Sequence, residues 1–221
     1  MRITEQDRKK ISTAIASAEK NTSGEITAAV IKQSSNYAAR EMIFATIATF
    51  IVTIFFLIAA PAVQNYLERR IWEMQAYQMA LIYAVAIFIL LGLFYLLSNL
   101  SFIDRLIVPK AVMNKFVWER AVRHFHESGV ASTRDRTGIL IFVSFLERRV
   151  ELIADAGINA KIDPKEWQNI VDSIIEGVRT KQFVEKLELA VGKCGELLAK
   201  HFPIKPDDEN ELTNEFQVLE D

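Results

Sequence analysis

MIFATIATFIVTIFFLIAAPAV (Met42–Val63) and AYQMALIYAVAIFILLGLFYLL (Ala76–Leu97) are two runs without a charged side chain. Each is 22 residues long, about 33 Å as an α-helix and close to the ~30 Å hydrocarbon thickness of a bilayer. A core helix of a soluble bundle seldom needs so long a run without a charge. The pair therefore predicts a transmembrane hairpin, with spans at about 42–63 and 76–97.

The loop Gln64–Gln75 holds the four charges of the hairpin, Glu68, Arg69, Arg70 and Glu73. So short a connection makes the helices antiparallel and leaves both flanking parts of the chain on one side. Tyr66, Trp72 and Tyr77 gather at the loop end, with Tyr37 and Tyr95 at the other, as suits rings that sit in the headgroup layer. Pro61 falls near the end of the first span, where one lost helical hydrogen bond is tolerable. The polar start MRITEQDRKK is not a secretory signal. Lys32, Arg40, Arg105 and Lys110 flank the hairpin on the body side, against Arg69 and Arg70 in the loop. The positive-inside bias thus predicts a two-pass protein of the cell (inner) membrane with cytoplasmic N- and C-termini. A lone Cys194, unable to form an internal disulfide, agrees with a reducing compartment.

Outward from the hairpin, the flanks read as one interrupted domain. Thr4–Lys20 has a capping threonine and an Ile11, Ala14, Ile15, Ala18 stripe at helical spacing. Asn-Thr-Ser-Gly at 21–24 breaks that helix, and EITAAVI (Glu25–Ile31) follows as a strand. On the other side, Pro109 opens a helix to about Ser128, with Gly129 at its C-terminal cap and an apolar face of Met113, Val117, Trp118, Ala121, Val122 and Phe125. ILIFVSF (Ile139–Phe145) is apolar on both faces, the pattern of a strand covered on two sides. Leu146–Arg149 is short enough to turn it into the partner VELIA (Val150–Ala154). Asp163-Pro164 then caps a helix to about Thr180, whose stripe includes Trp167, Ile170, Ile174 and Val178. A last helix, about Val184–His201, presents Leu187, Val191, Cys194 and Leu198.

That order predicts an α/β fold, a small mixed sheet flanked by helices, with the hairpin inserted between the first and second strands. The expected organisation is 1–37 and 104–206 as the two parts of one domain, 38–103 as the hairpin, and 207–221 as an acidic disordered tail. The tail DDENELTNEFQVLED carries seven acidic residues and no basic one, the composition of a solvated end.

Two quoted segments carry a family resemblance. EKNTSGEI (Glu19–Ile26) and TRDRTGILIFVSFLERRVELIADAGI (Thr133–Ile158), followed by Trp167 and the helix ending in HFP (His201–Pro203), resemble the TPM domain family. The resemblance implies a sheet with helices on both faces. It also implies an activity to consider, because acid phosphatase activity has been proposed for a thylakoid-lumen member, and a cofactor, because some members are associated with calcium. Many relatives carry a signal peptide and a C-terminal anchor; the internal hairpin leads to the expectation of a different layout here.

Strand polarity predicts the site. If strands one and two are parallel and strand three returns antiparallel, one sheet edge collects Glu25, the Thr133–Arg136 stretch and Asp155. Glu25 and Asp155 there are candidates for a hard cation such as calcium, and Arg134 or Arg136 for an anion such as phosphate. The plainer expectation is an arginine–carboxylate network that closes the edge. His124 and His126, two apart on a helix, point about 200° from one another and cannot share an ion. His201 at a helix end suits the helix dipole, and Cys194 on a buried stripe suits the core. No P-loop, GxSxG, HExxH or CxxC occurs.

Arg105, Lys110 and Lys115, with Arg120 and Arg123 beyond, form a basic stretch after the second span that can attract anionic membrane lipids. The small basic excess without an aromatic platform argues against nucleic acid. Two spans with no charge inside them argue against transport. The function predicted from these readings is a non-catalytic interaction, assembly or quality-control module for another membrane protein. The alternative is a weak metal-dependent acid phosphatase.

Overall fold

The computed structural model describes residues 3–68, 75–98 and 100–220. The expected loop charges Arg69, Arg70 and Glu73, and the ring of Trp72, lie outside the described residues. The chain divides into two compact units, residues 1–35 with 111–221, and residues 36–110.

In the first unit, α1 (Glu5–Glu19) opens on a reciprocal cap. The Thr4 hydroxyl accepts from the Asp7 N–H, and the Asp7 carboxylate accepts from the Thr4 N–H at 2.9 Å. The strand β1 (Glu25–Ile31) follows. After the second unit come α5 (Lys110–Glu127), a 3₁₀ turn (Val130–Ser132), β2 (Gly138–Ser144), β3 (Arg149–Ala154), a single turn α6 (Ala156–Asn159), α7 (Pro164–Thr180), α8 (Phe183–His201) and β4 (Gln217–Leu219). Gly129, predicted to end α5, has φ +83°, the left-handed conformation that a helix-terminating glycine supplies.

The strands form one mixed sheet in the order β3-β2-β1-β4. β1 runs parallel to β2, pairing Glu25 with Gly138 through to Ile31 with Ser144, and β3 returns antiparallel on β2. β1 and β2 are buried along their whole length. On one face Ile26, Ala28, Val30, Ile139, Ile141 and Val143 pack in a core with residues of α1, α7 and α8. On the other, Ala29, Ile31, Leu140 and Phe142 meet Val117, Ala121 and Phe125 of α5. Trp118, assigned to that apolar face by pattern, is 49 % exposed. It stands about 100° round the helix from Val117, off the i, i+4 row that the sheet covers.

The tail corrects the sequence reading. Far from a disordered end, the residues after Pro206 run along the free edge of β1. Leu212 packs against the α5-side core, Phe216 is 2 % exposed in the other core, and Gln217–Leu219 add to β1 as a parallel strand. The seven acidic charges obscured an apolar pattern (Leu212, Phe216, Leu219) sufficient to order the segment.

In the second unit, α2 (Ala38–Glu68) and α3 (Ala76–Ser98) lie against each other, and α4 (Ser101–Ile107) follows. Both long helices extend past the charge-free runs, and α2 continues through Pro61. Each is long and apolar enough to cross a membrane, and their apolar side chains, Phe50, Phe55, Ile58 and Phe88 among them, are exposed.

Candidate functional site

The parallel crossover and the β2–β3 return bring the three predicted termini to one end of the sheet. Glu25 pairs with Gly138, and the Asp155 N–H donates to the Gly138 carbonyl at 2.9 Å. Glu25 and Asp155 therefore flank Gly138 on the same face of the pleat, two strand spacings apart, or about 10 Å across the sheet. The space over Gly138 is filled by the 3₁₀ turn: a Cβ placed there would stand 2.4 Å from the Val130 carbonyl oxygen. Val130 is a wedge between the two acids.

Each acid is already engaged. Glu25 is buried, and its Oε1 accepts from the Glu211 N–H at 3.0 Å while Oε2 has no hydrogen-bond partner among the described residues. Burial pushes its carboxyl above the usual range, the Glu211 and Asp208 carboxylates add to this, and the Glu211 N–H opposes it. Asp155 caps α6, its Oδ1 accepting from the Ala156 N–H at 2.6 Å, and its buried Oδ2 is unpartnered.

The arginines do not join them. The Arg134 N–H donates to Glu211 Oε2 at 2.8 Å, and its guanidinium lies 3.7 Å from Asp207. Arg136 is exposed at φ +55°, with no ion pair among the described residues. Between them Asp135 binds the Lys205 ammonium at 2.5 Å, which holds its carboxyl below the usual range. The structure thus brings the predicted groups to one edge but ties them separately, chiefly to the C-terminal segment. Calcium takes roughly six to eight oxygens, whereas no group of three metal-ligating side chains occurs among the described residues. As arranged, the residues do not fit a calcium site.

One acid at this edge escaped the sequence reading. The Glu25 N–H donates toward β2, to Thr137, so the next one along, on Ile26, faces the opposite edge, where β4 does not reach. Glu19 Oε1 accepts it at 2.7 Å, and Oε2 is buried without a partner. Burial, with Glu25 adding to it, raises the Glu19 carboxyl from 4.5 to about 8. The signal was present: the NTSG turn is short enough to fold the end of α1 back on the start of β1.

A pH dependence follows. Between about 4.5 and 8 the folded state holds a proton on Glu19 that the unfolded chain has released, so stability is full below the unfolded value and falls as pH rises through the folded one. Glu19→Gln keeps an acceptor for Ile26 and removes the ionisation. The variant should match the parent at pH 4.5 and exceed it by roughly 2 kcal/mol at pH 8.5, a figure discounted for partial exposure. Melting in detergent, followed by circular dichroism at both pH values, checks this; an unchanged difference would remove Glu19 as a titrating group.

The remaining candidates separate cleanly. His124 is buried beside the Phe142 ring and His126 is exposed, as their spacing requires. Burial, with Arg120 nearby, lowers the His124 imidazole. Cys194 is fully buried and its thiol is pushed up to about 12, the state of a core residue and not of a nucleophile. Of the proposed lipid contacts, Lys110 is exposed and Lys115 lies 3.7 Å from Glu119 on α5, while Arg105 on α4 is half-buried.

A family model described as TPM domain matches residues 106–196. That stretch is similar to the TPM domain family. Comparison with curated proteins finds no match. Among solved structures, the NMR structure of the BA42 protein from the psychrophilic bacterium Bizionia argentinensis is similar, with a TM-score of 0.57 and 21 % identity over 99 % of this chain and 97 % of that one. At that identity the likeness shows the fold alone. The family match begins after the hairpin and leaves out α1, β1 and β4, which the structure places in the same unit.

Proposed function

We propose that this chain is a two-pass protein of the cell (inner) membrane, with cytoplasmic termini, whose TPM domain is a non-catalytic module for the assembly or quality control of another membrane protein. The observation that carries the reading is the separate engagement of the charged groups at the sheet edge. Glu25, Arg134 and Asp135 are turned to Glu211, Asp207 and Lys205, and no nucleophile or convergent ligand set stands among them. Anionic lipids attracted to Lys110 and Lys115 would hold the domain near the bilayer. The alternative, a weak metal-dependent acid phosphatase, draws support from two buried carboxylate oxygens without partners, Glu25 Oε2 and Asp155 Oδ2.

One experiment separates them. The purified chain in mild detergent should hydrolyse p-nitrophenyl phosphate no faster than Asp155→Asn, with calcium, magnesium or manganese present. Cross-linking in native membranes should join it reproducibly to a particular membrane protein. Turnover that Asp155→Asn abolishes would replace the first reading with the second. Reporter fusions at the C-terminus test the orientation, and activity only outside the cytoplasm would reverse it.

A further inference from the structure

Two acids of the second unit are buried against each other, away from the sheet edge. Glu41 lies in the first turn of α2 and is 8 % exposed, and Asp104 lies on α4 and is 5 % exposed. The two helices touch, and α4 also packs on α3. Ser98 ends α3, fully buried, with its hydroxyl donating to the Tyr95 carbonyl at 2.8 Å. Across the α2–α4 contact the Glu41 and Asp104 carboxyls are hydrogen-bonded to each other. Among the described residues no N–H or hydroxyl reaches Asp104 Oδ1, which is buried.

An ionised carboxyl only accepts hydrogen bonds. A bond between two carboxyls therefore contains a proton, because two carboxylates in contact and withdrawn from water repel too strongly for both to ionise. The surroundings offer little to replace that proton. α3 carries no charged side chain, and its phenol at this end is Tyr95. Tyr37, just before α2, accepts the Glu41 N–H at its backbone carbonyl at 3.1 Å. Among the described residues the cations of this unit are Arg40 on α2, Arg105 on α4 and Lys110, and the other acid is Glu68 at the far end of α2. Arg40 and Arg105 each adjoin one of the paired acids in sequence, so each leaves its helix about 100° round from the contact row.

We propose that Glu41 and Asp104 form a proton-operated latch that fastens α4 to α2 and lets go as the surroundings turn alkaline. Docked, the pair keeps one proton. Undocked, both carboxyls meet water and release it in the ordinary carboxylate range. The docked state is thus fully favoured at acid pH, and each further pH unit costs it about tenfold until the pair itself ionises. α4 is the segment through which α3 leads on to α5, so its release lengthens that connection. The latch goes beyond the function proposed above and does not depend on it.

The test uses the full chain in nanodiscs, carrying Cys194→Ala and nitroxides on Ile43→Cys of α2 and Leu106→Cys of α4, both exposed positions. The distance between the labels is measured by electron resonance from about pH 5 to about pH 9. At the acid end a single short distance is expected. A longer, broader population should then grow relative to it by about tenfold per pH unit. Glu41→Gln still donates to Asp104 but cannot ionise, and should hold the short distance throughout. Asp104→Asn should do the same from the other side, and serves if the first variant fails to fold. Glu19 titrates over the same range in the other unit, and Glu19→Gln should leave the curve in place. A distance in the parent that ignores pH would overturn the latch. So would a lengthening that persists in Glu41→Gln, or one that Glu19→Gln shifts, since either assigns the titrating group elsewhere.

Discussion

Truncation after Pro206 is expected to unfold the unit that holds the sheet. The residues removed include Phe216, which is 2 % exposed in the core it shares with Ile11 and Ile15, and whose N–H donates to the Ser12 hydroxyl at 3.0 Å. A Phe→Ala change at such a site alone costs roughly 3–5 kcal/mol. The truncation also strips the buried Glu25 carboxyl of the Glu211 N–H that donates to it at 3.0 Å, at a cost of about 1–3 kcal/mol more. The sum approaches the roughly 5–15 kcal/mol that holds a whole domain together. Cys194 provides the readout, because it is the only cysteine and fully buried. A maleimide dye should label the truncated chain within the mixing time, leave the intact chain protected, and label Phe216→Ala at a lower temperature than the parent. Protection of Cys194 in the truncated chain would mean that the tail merely lies on a domain stable without it.

The second large effect is expected at Gly138, which a single methyl should disable. An alanine Cβ there would stand 2.4 Å from the Val130 carbonyl oxygen and 2.6 Å from its Cγ1. The nearer obstacle is backbone, so relief requires the 3₁₀ turn to lift from the sheet, with Val130 leaving its fully buried place. Overpacking of this kind costs roughly 3 kcal/mol. Gly192 is the control. It lies inside α8 with no atom within 4 Å of its absent Cβ, so Gly192→Ala should stabilise by about 0.5–1 kcal/mol. Melting of both variants, with Cys194 labelling as the probe, gives the comparison. A Gly138→Ala chain as stable as the parent would show that the turn is not seated as described.

Most of the fold was legible because its signals are local. The stripe around Trp167, Ile170 and Ile174, the doubly apolar ILIFVSF run and the Thr4 cap each declare an element without reference to the rest of the chain. The shared edge of Glu25 and Asp155 followed from strand polarity alone. What escaped depends on long-range contact. Glu211 reaches Glu25 across 186 positions, Glu19 is recruited only because β4 stops short of Ile26, and Val130 fills a space visible only once Gly138 has a neighbour. Charge composition misjudged the tail because a few apolar anchors outweigh many solvated carboxylates when a strand edge is waiting for them.

That waiting has a consequence in the order of synthesis. β1 lies between β2 and β4, yet both are made after the apolar helices, and Gln217 leaves the ribosome roughly 190 residues behind Ile31. At about 5–20 residues per second the delay is roughly 10–40 s. Until β2 is made, roughly 110 residues behind Ile31, β1 has only α1 to cover one of its two faces, and its other edge waits for β4 through the whole interval. A nascent chain of this design cannot complete its sheet piecemeal: the last strand comes only with the final residues.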